Sequence, residues 1–158
     1  MQTGDRYMKD RIKFNDTMLA AVMDGRKTQT RRPIEPKPKV TEDELRKFGA
    51  WQDGYTLSEQ VCAAWRHGFV DVDCPYGEIG DIINIANKDG NIKGKIEITD
   101  VWIQQVNDIS ESDAEAEGFD GKLNAHTSDF AAVWIAIYGI DSWVNNEWVW
   151  VIEFIVVN

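Results

Sequence analysis

Trp148-Val149-Trp150-Val151-Ile152-Glu153-Phe154-Ile155-Val156-Val157 decides the fold class. Apolar side chains stand at both odd and even positions of this stretch, and Glu153 is its one charge. Successive residues of a strand point to opposite faces, so a strand that is apolar on both has to be covered on both. The segment is therefore expected as a central strand or as part of a closed barrel, with Glu153 turned to solvent or to a partner. Its neighbours can be read upstream. Gly80-Asp81 is a turn that feeds Ile82-Ile83-Asn84-Ile85-Ala86, and Asp89-Gly90-Asn91 is a hairpin signal. The strand after it, Lys93 to Val106, alternates through Ile96 and Ile98 and is expected to bend near Thr99-Asp100.

Helical patterns flank these strands. Asn15 or Asp16 can cap a helix that carries Leu19, Val22 and Met23 on one face, and Gly25 stops it by taking the left-handed conformation. Ser110-Glu111-Ser112-Asp113 is a capping-box pattern opening a short helix that Gly118 closes. Another helix begins near Thr127 or Ser128 and ends at Gly139, with Phe130, Val133, Trp134 and Ile137 as a stripe read as core. Strands and helices together give an α+β class in one domain spanning 11–158, behind a polar N-terminal tail at 1–10. Pro33 to Pro38 reads as an extended, solvated connector. Val40 to Asp73 is the least patterned stretch and is expected to be an insertion or lid. Thr41 to Arg46 resembles a capped helix within it, and Trp51, Tyr55 and Trp65 are placed over one mouth of the core.

The chain has 158 residues, 43% of them hydrophobic and 28% charged, which suits a single globular domain. No apolar run approaches the roughly 20 residues of a membrane span, and the first ten residues lack an apolar signal core, so a cytoplasmic protein is expected. The formal net charge of -10 excludes long-range attraction to duplex nucleic acid, whose binding needs many cations in one footprint. A nucleoside or a few bases of single-stranded RNA stay open as partners. A site for zinc built from Cys62, His67 and Cys74 lacks a fourth ligand and fits no standard spacing, so neither metal nor cofactor is expected.

Against that acidic background, Gly25-Arg26-Lys27-Thr28-Gln29-Thr30-Arg31-Arg32 packs four of the 17 Lys and Arg residues beside two hydroxyls. Such a spot draws an anionic or strongly polar ligand. A lysine crowded by Arg26, Arg31 and Arg32 is pushed toward its neutral form and can take the proton of a threonine hydroxyl, Thr28 or Thr30. Thr30 is the better placed if the chain is extended after Gly25. Glu117 falls in the last turn of its helix, where the negative pole penalises a carboxylate by a few tenths to about 1 kcal/mol. Screening by water or a cation from the octet would relieve this. Pairing with Lys27 would build a Lys–Thr–Glu constellation, with Glu115 as the competing acid. Arg31 and Arg32, with Arg26 and Thr28, are the candidate substrate-binding residues.

The octet, Cys74-Pro75-Tyr76-Gly77 with Gly80-Asp81, Asp108-Ile109-Ser110-Glu111 through Ala116-Glu117-Gly118, and Trp143 through Phe154 together resemble the ASCH domain. More narrowly they resemble its bacteriophage and prophage branch. The resemblance runs in order from about Ile12 to Val157 and leaves Val40 to Asp73 uncovered. It implies a PUA-like mixed β-barrel with flanking helices and a cleft beside the basic loop. Relatives are associated with RNA or modified nucleosides. One bacterial branch removes the acetyl group from 4-acetylcytidine, and its proposed lysine, threonine and glutamate match Lys27, Thr30 and Glu117. Another branch includes a ribonuclease. Three functions are thus expected in turn: an amidohydrolase on an acylated cytidine, a non-catalytic RNA or nucleotide reader, and a phage protein that binds a host factor through its acidic surface.

Overall fold

The computed structural model describes residues 8–38, 40–47, 49, 51–121 and 125–157; residues 1–7 of the expected tail fall outside them. Five strands form one sheet: β1 (Arg11–Lys13), β2 (Gln29–Pro33), β3 (Ile82–Ala86), β4 (Ile92–Gln105) and β5 (Trp148–Val157). Their order is β1-β3-β4-β5-β2, with β1 parallel to β3 and all other pairs antiparallel. The helices are α1 (Asp16–Met23), α2 (Glu42–Lys47), α3 (Leu57–Arg66), α4 (Glu111–Ala116), α5 (His126–Tyr138) and α6 (Ile140–Val144).

β5 lies between β4 and β2 and is covered on both faces, as its sequence demands. Trp150, Ile152 and Phe154 enter the larger core with Ile12, Phe14 and Val61, while Val149 and Val151 enter a second core with Ala114, Phe130 and Trp134. Each large apolar side chain so buried contributes roughly 1.5–3 kcal/mol of transfer free energy. Glu153 is half-buried, partly open to solvent as expected, and accepts from Gln29 Nε2 at 3.1 Å on the adjacent strand. The bend expected near Thr99-Asp100 is a register shift between Ile98 and Asp100, which lets the long β4 turn while keeping β5 alongside.

The barrel does not close. β1 and β2 are the two edges of an open sheet with no ladder between them, and α1 connects them across the gap. Arg32 bridges part of the seam, donating from Nη2 to the Lys13 carbonyl at 2.8 Å.

Other local expectations differ in detail. Met23 is half exposed, whereas Ala21 and Val22 are buried and Met18 and Leu19 pack against the larger core. Ile34 is buried, so the proline segment is anchored at its start rather than solvated throughout. The stretch from Val40 to Asp73 supplies α2 and α3, whose Leu45, Val61 and Ala64 are buried in the larger core, and Trp65 packs edge-on against Trp150 at 5.2 Å. In α5, Phe130 and Trp134 are core, whereas Val133 is half-buried and Ile137 exposed.

Candidate active site

The octet is stitched between three elements. Asn15 caps α1 by accepting from the Met18 amide, and Gly25, at φ 84°, ends it. The amides of Arg26 and Lys27 both donate to the Ala21 carbonyl, at 2.9 and 3.0 Å, which turns the chain back across the helix end. The Thr28 amide then donates to Ala116 of α4 at 2.7 Å, and the Thr28 carbonyl accepts from the Phe154 amide at 3.0 Å. Ser110 caps α4 by accepting from the Asp113 amide. Gly118, at φ 106°, follows Glu117; a Cβ there would stand 3.4 Å from the Lys27 Cβ and 3.5 Å from that of Ala21. Those distances are ordinary contacts, so it is the backbone conformation that calls for glycine there.

This packing carries Glu117 to Lys27. Lys27 Nζ donates to Glu117 Oε1 at 2.8 Å and to the Glu117 carbonyl at 2.9 Å, and each residue is only 4% exposed. The cation expected to relieve the carboxylate at the helix end is therefore Lys27, while Glu115 is exposed. A second cation shares the load, for Arg31 Nη1 donates to Glu117 Oε2 at 2.9 Å. Burial lowers the Lys27 pKa from its ordinary value, Glu117 opposes this, and Arg32 and Arg31 reinforce it. Desolvation is thus the leading cause, ahead of the crowding by arginines that the sequence pointed to, and Arg26 plays no part.

Lys27, Thr30, Arg31, Arg32 and Glu117 all line one cavity of about 320 Å³. Its other wall is apolar and aromatic, with Phe14, Met18, Phe119, Phe130, Trp134 and Tyr138. Because β2 is an edge strand, Thr30 and Arg32 on one of its faces and Arg31 on the other reach the same space. Lys27 Nζ finds both its acceptors on Glu117, and the Thr30 hydroxyl accepts from Arg32 Nε at 3.2 Å. A charged floor under an aromatic wall suits a flat polar heterocycle, and the volume lies at the lower end for small-molecule sites.

Two candidate binding residues lie elsewhere, and a third is in place but already engaged. Arg26 is exposed and paired with Asp24 at 2.8 Å, drawn outward by the nearest carboxylate. Thr28 is held by its backbone and does not line the cavity. Arg31 lines it, but all five of its donors are used, on Gln104 (twice), Gln29, Glu117 and Asp113. It fixes Glu117 rather than offering itself to a ligand. The stripe on α5 read as core does double service, since Val133 and Ile137 line the cavity as well. Sequence reading missed Phe14, Phe119 and Tyr138 in the wall and the Gln29–Gln104–Asp113 cradle around Arg31. Polar residues at 29, 31 and 104 on covered strands were the signal for the cradle.

Among the described residues no group of three or more His, Cys, Asp and Glu side chains is arranged to hold a metal ion. Cys74 is buried, and desolvation raises its thiol to about 11, so it is inert at neutral pH. No helix among the described residues is long and apolar enough to cross a membrane.

No family model and no curated protein matches the sequence. Solved structures do share its architecture. A protein of Enterococcus faecalis described by the family model DUF984 superposes with a TM-score of 0.52 at 21% identity, over 97% of this chain and 82% of that one. An ASCH domain from Lactobacillus crispatus superposes with a TM-score of 0.50 at 16% identity, over 94% of this chain and 80% of that one. At such identities the likeness speaks to architecture alone: the chain has an ASCH-like α+β fold, built on an open mixed sheet with helices on both faces.

Proposed function

We propose that the chain is an amidohydrolase that removes the acyl group from 4-acetylcytidine or a related modified base. The observation that carries this reading is the buried Lys27–Glu117 pair, 2.8 Å apart, which lines the same cavity of about 320 Å³ as Thr30, under an aromatic wall. The motif order that resembles the bacteriophage and prophage branch of the ASCH domain supports the same reading, with the host cytoplasm as its setting. The flat base stacks against the wall formed by Phe14 and Trp134, and the acyl amide lies over the charged floor.

Lys27, Arg31 and Glu117 together hold two cations against one carboxylate in a desolvated site, which favours release of the Lys27 proton. Neutral Lys27 takes the proton from the Thr30 hydroxyl as the oxygen attacks the acyl carbon. Arg32, already donating to Thr30, stabilises the oxyanion that develops. The C–N bond then breaks, and the Lys27 ammonium returns its proton to the exocyclic amine of the base. Water hydrolyses the resulting ester on Thr30 with Lys27 again as the base, giving cytidine and acetate. Glu117 orients the amine throughout.

Chromatography of 4-acetylcytidine incubated with the purified protein tests this directly. Cytidine and acetate are expected with the native chain and not with Lys27→Met or Thr30→Val. An inert nucleoside, or undiminished turnover by Lys27→Met, rules the chemistry out.

A non-catalytic reader of the same base is the second reading. It is favoured by one feature: the Thr30 hydroxyl is held by Arg32 and Lys27 by Glu117, with no hydrogen bond between lysine and threonine among the described residues. Salt-sensitive binding of the nucleoside or of single-stranded RNA without turnover would establish it.

A further inference from the structure

Three cavities meet at Arg32. The nucleoside-sized pocket shares Arg32 and Tyr138 with a larger cavity of about 640 Å³ that extends to Tyr76. A third cavity, of about 550 Å³, shares Arg32 and Tyr76 with the second and lies beyond the open seam between β1 and β2. Arg32 spans all of them. Its Nε holds the Thr30 hydroxyl, its Nη2 holds the Lys13 carbonyl, and its guanidinium lies 5.1 Å from the centre of the Phe14 ring. One side chain thus touches the proposed nucleophile on one side and the third cavity on the other.

The third cavity is positive in a chain of net charge -10. Lys9, Arg11, Lys13 and Arg32 line it against the carboxylates of Asp10 and Asp89. Arg11 is committed: it holds Asp10 at 2.9 and 2.8 Å and the Gly90 carbonyl at 2.6 Å. Lys13 is exposed, lies along Gly90 and has no ion-pair partner among the described residues. A point charge from lysine next to an anchored guanidinium is a combination that phosphate oxygens satisfy. A local positive field in an acidic protein concentrates an anion there. A nucleoside brings no anion to it, whereas a nucleotide carries one on the ribose, to one side of the base.

We infer that the ligand of the pocket is a phosphorylated nucleoside whose phosphate sits between Lys13 and Arg32, past the β1–β2 seam. This rests on the base-binding reading above and narrows its substrate class. A mononucleotide and the phosphate of an RNA strand present the same chemistry there.

Calorimetric titration of the full chain at low salt separates the cases. The probes are 4-acetylcytidine, its 5′- and 3′-monophosphates, a dinucleotide bearing the same base, and ribose 5-phosphate. At least one phosphorylated probe is expected to bind about tenfold more tightly than the nucleoside, an advantage that shrinks with added salt. Lys13→Gln is expected to bring the ratio of the two affinities toward one. The dinucleotide exceeding both monophosphates identifies an RNA strand as the source; parity identifies a free nucleotide. Equal affinities for nucleoside and all phosphorylated probes overturn the inference and leave the base-binding reading intact. Binding of ribose 5-phosphate that Lys13→Gln weakens, with no binding of the nucleoside, upholds the phosphate seat and overturns the base reading. Failure of every phosphorylated probe to bind overturns the phosphate seat.

Discussion

Glu117→Gln puts the buried charge trio under the sharpest strain. The substitution keeps the shape of the side chain and removes its charge, leaving Lys27 and Arg31 facing each other at side-chain exposures of 3% and 0%. At an effective dielectric of about 20, an ion pair 2.8 Å apart gains about 6 kcal/mol, most of it offset by desolvation in the intact protein. Breaking such a pair from one side costs about 3–5 kcal/mol. Arg31 keeps Gln29, Gln104 and Asp113, so the loss falls mainly on Lys27. Lys27 can escape by shedding its proton, which at pH 7 costs about 5 kcal/mol from an ordinary value of 10.5 and sets the ceiling. In the variant, the unfolded chain then binds one more proton than the folded one, so its stability rises with pH. Between pH 7 and 9 the gain is up to about 2–3 kcal/mol. Urea unfolding of Glu117→Gln, Lys27→Met and the double variant measures all of this. Lys27→Met should cost less than Glu117→Gln, because Glu117 keeps Arg31. The double variant should recover about 2–4 kcal/mol relative to Glu117→Gln alone. A loss below about 1 kcal/mol for Glu117→Gln at pH 7, the size of a surface pair, would refute the buried-trio reasoning.

Other perturbations read other links. Gly118→Ala forces a side chain onto a φ of 106° and should cost about 1–3 kcal/mol in urea unfolding, from backbone strain rather than from a clash; native stability would contradict that. Burial holds the Cys74 thiol protonated to about 11 against 9.0 in the unfolded chain, so stability should fall by about 2–3 kcal/mol as pH rises across that window. Cys74→Val should flatten this alkaline limb in urea unfolding, and an unchanged limb would count against it. Glu111 is drawn down to about 2, first by the Thr127 hydroxyl and amide and then by His126, so its grip on the start of α5 is present above 4.5 and lost as pH falls toward 2. The amide resonances of His126 and Thr127 should titrate near 2, and a midpoint at 4.5 would show that the contact is absent in solution.

Periodicity carried much of the fold. The two-faced apolar run of β5 could only be central, and the capping residues at Asn15 and Ser110 with glycines at 25 and 139 marked helix ends to within a residue or two. Closure was not legible, because whether β1 and β2 pair depends on how α1 spans the gap. Within Val40 to Asp73, α2 was legible from its capped start at Thr41, whereas α3 was missed although Thr56 and Glu59 form a capping box at its start. In the site, charge density pointed to Lys27, Thr30 and Glu117 and the structure brings them to one cavity, yet charge alone could not sort the arginines. Arg26 and Arg31 differ in what stands beside them, Asp24 on the surface in one case and a buried polar cradle in the other. Such partners come from distant strands and helices, and sequence spacing says nothing of them. The aromatic wall was legible as an apolar stripe but not as a surface facing a ligand, since both follow the same helical period.

The state of the Lys27 amine carries the chemistry, and its titration in the intact protein is the most direct measurement. NMR of lysine labelled at Cε, with the Lys27 signal assigned through Lys27→Met, follows it in isolation. A midpoint clearly below 10.5, moving when 4-acetylcytidine is added, is the expected result. A Lys27 amine that titrates with the surface lysines, at 10.5 or above and indifferent to the nucleoside, would contradict a base waiting in that pocket.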